Sequence, residues 1–227
     1  MKPFIVLVLL LVFWLPRAAS ALQFRTLGWD APVSGLYYSA AGREVALTAA
    51  PTALSPAFTL DHGDVLKLYR LDADRTRRPA GSLPVPQGLA RAILVLHVAA
   101  DGSCSGRWLD DSPEATPAGA LRVYNLASKP VALGVGNGAV HTLAPGADTL
   151  ARFPLDARAI PVRLAAQVGD HWEAAMSISQ PVRPRLRFIV LVRDGRPTLD
   201  NPHPLLDWMP FHELLPPAGN GGKESRG

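Results

Sequence analysis

Apolar residues fall on alternate positions through much of this chain, and the clearest case lies past its middle. Ile160, Val162, Leu164, Ala166 and Val168 occupy every second position, Gly169-Asp170 turns the chain, and Trp172, Ala174, Met176 and Ile178 alternate on the way back. A period of two bounded by turn residues predicts an antiparallel hairpin with one buried face, here carrying all four returning residues together. The same pattern runs through Leu121 and Val123, then Val131, Leu133 and Val135, then Ala139 to Leu143, and earlier through Val65 to Leu71. Two stretches are apolar without alternation, Ala92 to Ala99 and Leu186 to Val192. Their length and β-branched content predict central strands buried on both faces. Leu22 to Trp29, Gly35 to Ser39, Val45 to Leu47, Ala57 to Leu60, Arg107 to Leu109 and Thr149 to Phe153 read as further short strands. The fold class expected is all-β, an antiparallel β-sandwich.

Polar and proline-rich stretches divide this pattern. Asp72 to Gly81 reads as an exposed loop. Asp110 to Gly119 holds two prolines, three acids and no large apolar group, which is linker chemistry. The resulting domain assignment is an N-terminal β domain over 22–112, a linker over 113–119 and a C-terminal β-sandwich domain over 120–201. From Pro202 the texture changes: the 202–217 segment is aromatic and broken by Pro210, and is expected to form a short irregular or helical arm. Residues 218–227 are expected to be a disordered tail.

The two halves share an order of features. Leu36-Tyr37-Tyr38-Ser39, Val45-Ala46-Leu47 and Phe58-Thr59-Leu60 precede Gly63; Arg122-Val123-Tyr124-Asn125, Val131-Ala132-Leu133 and His141-Thr142-Leu143 precede Gly146. Pro84-Val85-Pro86 and Pro181-Val182-Arg183-Pro184 each lead into an apolar run that ends at Asp-Gly. On this alignment the Ile160–Ile178 hairpin is an insertion. Self-similarity of this kind predicts two tandem sandwiches; the alternative is one larger sandwich of two sheets.

The first residues add a compartment. A positive start at Lys2, an apolar run from Phe4 to Leu15 and Ala19-Ser20-Ala21 form a signal peptide over 1–21, cleaved after Ala21. The expected location is periplasmic or extracellular, with no stable membrane anchor after cleavage. The remaining chain of about 206 residues is long enough for a core without staples. Its single cysteine, Cys104, excludes an intramolecular disulfide. Lys2 and Arg17 supply two of the net +4 charges, and the remaining arginines are scattered singly between apolar residues. That distribution is unlike the patch or stripe of a nucleic-acid binder, so no nucleic-acid partner is expected.

Candidate chemistry is sparse. Gly134-Val135-Gly136-Asn137-Gly138 is flanked by strands on both sides, so it reads as a hairpin turn rather than a phosphate loop. His62 and His171 stand beside acids in turns, and His203 and His212 lie near Asp207 and Glu213, but no pair has metal-ligand spacing. There is no Gly-x-Ser-x-Gly elbow, and Asp110-Asp111 reads as the start of the linker. No catalytic, cofactor-binding or metal residue is assigned, and no cofactor. Trp172 and Tyr69 lie in alternating strands and are expected in the core. Trp208, Met209 and Phe211 stand outside the regular pattern, and an exposed apolar group there would mark an interaction surface.

Leu121-Arg122-Val123-Tyr124-Asn125-Leu126, followed by Val131 to Val135 and Leu143-Ala144-Pro145-Gly146, resembles small exported bacterial β-sandwich domains of Ig-like kind. These include domains of unknown function and the alginate-acetylation accessory protein AlgF. The resemblance covers residues 121–146 and implies tandem Ig-like sandwiches; no catalytic residue and no alginate-specific role carries over. The expected function is a non-enzymatic exported assembly, adaptor or interaction module whose partner is an envelope protein. One alternative is an exported carbohydrate- or small-ligand-binding protein whose partner is a glycan. A further one is a hydrolase with its site between the halves.

Overall fold

The computed structural model describes residues 21–61, 63–154 and 156–216. Residues 1–20 of the signal peptide expected over 1–21, His62 and the tail expected over 218–227 therefore lie outside the described residues. The described residues form sixteen strands and no helix. None of them forms a helix long and apolar enough to cross a membrane. The chain divides into two compact units between Asp110 and Asp111.

The first unit contains β1 (Leu22–Gly28), β2 (Val33–Ala40), β3 (Arg43–Ala49), β4 (Phe58–Leu60), β5 (Val65–Leu71), β6 (Arg77–Pro84), β7 (Arg91–Val98) and β8 (Cys104–Asp110). They form two four-stranded sheets in the orders β4-β1-β7-β8 and β3-β2-β5-β6. Phe24, Leu94 and Leu96 from one sheet meet Leu36, Tyr38, Leu66 and Leu68 from the other in a continuous buried core. Alternation places these residues on one face of each strand, and removing that face from water is the main stabilising term of such a sandwich.

The second unit contains β9 (Ala120–Asn125), β10 (Val131–Val135), β11 (Val140–Leu143), β12 (Asp148–Arg152), β13 (Ala159–Val168), β14 (His171–Pro181), β15 (Leu186–Asp194) and β16 (Leu206–Leu214). Its sheets run β12-β9-β15-β16 and β11-β10-β13-β14. Strand for strand, this is the order of the first unit. Even the parallel pairs agree: β1 lies parallel to β7, and β9 parallel to β15. The protein is thus two all-β sandwiches of one topology, each with its own core.

This topology corrects the alignment of the halves. Leu121–Asn125 is the counterpart of β1, not of Leu36–Ser39, and the Ile160–Ile178 hairpin is the counterpart of β5 and β6, not an insertion. The slip arose because Arg77–Pro84, expected to be mainly loop, is strand β6. Pro79 and Pro84 disguised it, and both are tolerated because β6 is an edge strand. The arm expected over 202–217 is likewise largely strand. β16 pairs with β15 over its whole length, with Pro210 opposite Val190.

Both long hairpins carry a β-bulge at the same place. Leu68 faces Gly81 and Tyr69 faces Pro79, so Ala80 is the extra residue; Leu164 faces Met176 and Ala165 faces Ala174, so Ala175 is extra. A bulge reverses which face the following side chains take. The bulge at Ala175 therefore separates Trp172 and Ala174 from Met176 and Ile178, which had been expected on one face.

Candidate interaction surface

The shared bulge gives a residue-by-residue register between the two halves. Tyr37 pairs with Tyr69 across β2 and β5; at the same place in the second unit Ala132 pairs with Ala165 across β10 and β13. Lys67 opposite Ser82 becomes Arg163 opposite Ser177, and Arg77 opposite Leu71 becomes Trp172 opposite Gln167. All of these lie on the sheet face turned away from the core.

In the first unit this outer face is filled. The Tyr37 and Tyr69 rings stack with centroids 6.1 Å apart, and the Arg77 guanidinium lies 4.6 Å from the Tyr69 centroid. The Tyr69 hydroxyl donates to Glu44 at 3.0 Å. Burial pushes the Tyr69 phenol above the ordinary tyrosine range. Tyr69, expected in the core, is buried on this outer face instead, 8% exposed. A cavity of ≈ 440 Å³ remains beside it, between Lys67, Arg77 and Pro79.

In the second unit alanines replace both tyrosines, and a groove of ≈ 780 Å³ lies over them. Its floor is Ala132, Gly134, Ala165 and Ala174, and Arg163, Asn137 and Ser177 bring polar groups to it. Two large apolar side chains of the same sheet stand open to solvent: Val140 is 67% exposed and Trp172 is 44% exposed. Trp172, also expected in the core, is therefore a surface residue. The Gly136-Asn137 segment beside the groove is a tight turn joining β10 to β11, with Gly138 N–H donating to the Val135 carbonyl at 3.1 Å. Gly136 takes φ +60, which suits a residue without Cβ.

The residues expected to mark an interaction surface lie on β16. Trp208 packs against the core of the second unit, and Met209 and Phe211 point to the opposite face of the strand; all three are half-buried. His212 leans on the core Phe188 ring at 6.2 Å.

The most unusual polar group of this unit was not recognised in the sequence. The Arg187 side chain on β15 is 1% exposed. It donates to the Asp111 carboxylate at 2.8 Å and to Glu213 at 2.6 Å. It also donates to the carbonyls of Asp111 and Ser112, each at 2.9 Å. The stretch expected to act as a linker is thus fastened onto the second sandwich. A buried guanidinium tolerates such a place only when its donors are satisfied, and here two carboxylates and several carbonyls do so.

The remaining titratable groups are dispersed. His97 lies 3.2 Å from Asp30, and His171 lies 2.8 Å from Glu173, both pairs at the surface. Among the described residues no three His, Cys, Asp or Glu side chains converge as metal ligands. Burial raises the Cys104 thiol above its usual range, which disfavours the reactive thiolate. The chain matches no known family model and no curated protein.

Proposed function

We propose that this protein is a non-enzymatic, exported interaction module of the cell envelope, and that the outer face of the β11-β10-β13-β14 sheet is its contact surface. One observation carries the reading. The two sandwiches share a topology and a bulge, yet the face closed by Tyr37, Tyr69 and Arg77 in one is opened by Ala132 and Ala165 in the other, with Trp172 and Val140 left exposed. An exposed aliphatic group at a concave floor, with an exposed aromatic on the same sheet face, is what partner recognition uses. Export is inferred from the leader pattern at the start of the chain.

The test fills the groove with the protein's own solution. Ala132→Tyr with Ala165→Tyr introduces the pair that the first sandwich already holds in the same register, so the fold is expected to accept it. In-cell crosslinking and pull-down with the tagged mature protein is expected to recover a dominant envelope protein with the wild type and to lose it with the filled variant. Equal recovery from both would sink the assignment of this face. A glycan partner is the second reading, favoured by Trp172 sharing the sheet face with Arg163 and Ser177, a ring-stacking group beside hydrogen-bonding ones. Binding on a glycan array that the same variant abolishes would favour it.

A further inference from the structure

We propose that the free edge of β14 accepts an extended segment of a partner protein as an added strand, and that Arg158, Arg183 and Arg185 select acidic residues at one end of that segment. The proposal rests on the interaction-module reading and names the partner's chemistry.

β14 ends its sheet, and among the described residues no strand pairs with it on the side away from β13. Native edge strands are usually guarded by proline, charge or covering elements. The corresponding strand β6 has all three. Arg77, Arg78, Pro79 and Pro84 lie within it, and Gly81 backs so closely onto the Cys104 carbonyl of β8 that no Cβ would fit. In the shared register Gly81-Ser82-Leu83-Pro84 becomes Met176-Ser177-Ile178-Ser179. Pro84 is thus replaced by Ser179. Where β6 carries prolines and arginines, β14 has only Glu173 near its start and Pro181 as its last residue, with Ala174 to Gln180 free of both charge and proline between them. β14 and β16 do not close together as β6 and β8 do.

The direction of the open backbone groups follows from one hydrogen bond. The Pro161 carbonyl accepts from Gly136 N–H at 2.7 Å, so Pro161 turns its polar backbone side towards β10. Its partner across the ladder, Ser179, therefore belongs to a non-hydrogen-bonded pair. The N–H and C=O of Ser179, and by alternation those of Ser177, point outward from the sheet. These are the groups that strand addition uses.

The charge around this run is one-sided. Val182 N–H donates to the Arg158 carbonyl at 2.8 Å, which brings Arg158 beside Arg183, and Leu186 N–H donates to the Arg183 carbonyl at 3.2 Å. The side chains of Arg158, Arg183 and Arg185 are exposed, and among the described residues none is in an ion pair. No acid occurs from Ala174 to Arg193. Asp156 stands near Arg158 in sequence, and Glu213 is held by Arg187. An added strand lying along Ser177 and Ser179 ends beside these three cations, so carboxylates at that end are complementary.

Random ten-residue peptides displayed on phage and selected on the purified mature protein test this. Enriched peptides are expected to alternate small or apolar residues and to carry Asp or Glu at one end. Ser179→Pro removes one outward N–H without touching the β13 ladder, at a position where β6 already has proline. It is expected to weaken the selected peptides about tenfold or more. Arg183→Glu with Arg185→Glu is expected to weaken acid-ended peptides by at least about tenfold and to spare their neutral counterparts. Ala132→Tyr with Ala165→Tyr leaves the edge intact and is expected to spare all of them. Undiminished binding to the Ser179→Pro protein, or no enrichment, overturns strand addition while leaving the sheet face as the module's surface. Enrichment without acids, or indifference to the arginine changes, overturns the partner chemistry alone. Loss of peptide binding only on groove filling would move these peptides from the edge to the face.

Discussion

The two sandwiches differ least in their cores and most on surfaces that the core does not specify. Both bury a parallel pair, β1 with β7 and β9 with β15, and the start of the central strand reads Arg91-Ala92-Ile93 in one and Arg187-Phe188-Ile189 in the other. The volumes at this layer are exchanged: Phe24 faces Ala92 in the first unit, and Leu121 faces Phe188 in the second. Such compensation keeps a core filled while identities change. The outer faces have no such constraint. One has closed over a tyrosine pair and the other has opened over alanines, and one edge carries proline and arginine along its length where the other keeps an uncharged run from Ala174 to Gln180. A shared topology therefore supplies an internal reference, against which the departures of the second unit mark where binding is to be sought.

The largest departure in energy is Arg187. Arg91, at the corresponding start of β7, is only half-buried, whereas Arg187 is enclosed with Asp111 and Glu213. Arg187→Ala removes the guanidinium that the buried Asp111 and the half-buried Glu213 share, and opens a cavity. The expected cost to the second sandwich is about 3–5 kcal/mol, the usual range for breaking a buried pair by removing one side. Urea denaturation followed by tryptophan fluorescence reads it, with Arg91→Ala as the control from the other half. A loss below about 1 kcal/mol would mean that the buried network is no more than a surface ion pair in effect. Arg187→Leu is expected to recover part of the loss through packing while still lacking the guanidinium that the buried Asp111 carboxylate accepts from.

A smaller effect separates the halves at high pH. Tyr38 in the first core donates to the Thr59 carbonyl at 2.9 Å, and burial raises its phenol above the ordinary tyrosine value, as it does for Tyr69. The folded state therefore holds these protons more tightly than the unfolded state does. The stability this contributes is fully present below the unfolded tyrosine pKa of about 10 and is lost as pH rises through the higher folded values. The slope is at most about 1.4 kcal/mol per pH unit for each proton held. Denaturation midpoints measured between pH 9 and pH 11 are expected to fall, and Tyr38→Phe is expected to flatten that fall. An unchanged slope in the variant would assign the alkaline loss elsewhere.

How much of this was legible in the sequence depends on what made each residue ordinary or strange there. Alternation identified β5, β10 and β13, and unbroken apolar runs identified β7 and β15, because burial of one face or two leaves those patterns directly. β6 and β16 escaped because prolines at sheet edges read as breaks. The bulge at Ala175 escaped because an inserted alanine costs the pattern nothing visible, yet it moved Trp172 from an expected core position to the surface. Arg187 looked like one more arginine between apolar residues; its partners lie 76 and 26 positions away, beyond any local signal. Alanine at positions 132 and 165 is equally mute. It becomes informative only beside Tyr37 and Tyr69, once the topology has placed the four residues in one register.

The smallest expected effect on stability tests whether guarding, rather than mere position at a sheet edge, distinguishes β14 from β16, the end strand of the other sheet. Leu215 N–H donates to the Arg185 carbonyl at 2.9 Å, so by alternation Val190 and Pro210 form a non-hydrogen-bonded pair and the Pro210 nitrogen faces outward. Pro210 thus removes a donor from the edge of β16 at a place where the ladder does not need one. Pro210→Ser restores it and makes β16 a continuous edge, as Ser177 and Ser179 leave that stretch of β14 before Pro181. The ladder to β15 is untouched, so stability is expected to shift by no more than about 0.5 kcal/mol. Self-association is expected to rise, read by sedimentation velocity over a concentration series, because an unguarded strand is a template for another chain. Ser179→Pro moves β14 the other way and is expected to lower whatever association the wild type shows. If Pro210→Ser sediments as the wild type does at every concentration, proline is not what keeps β16 unpaired, and the contrast between the two edges would have to rest on the arginines beside β14 alone.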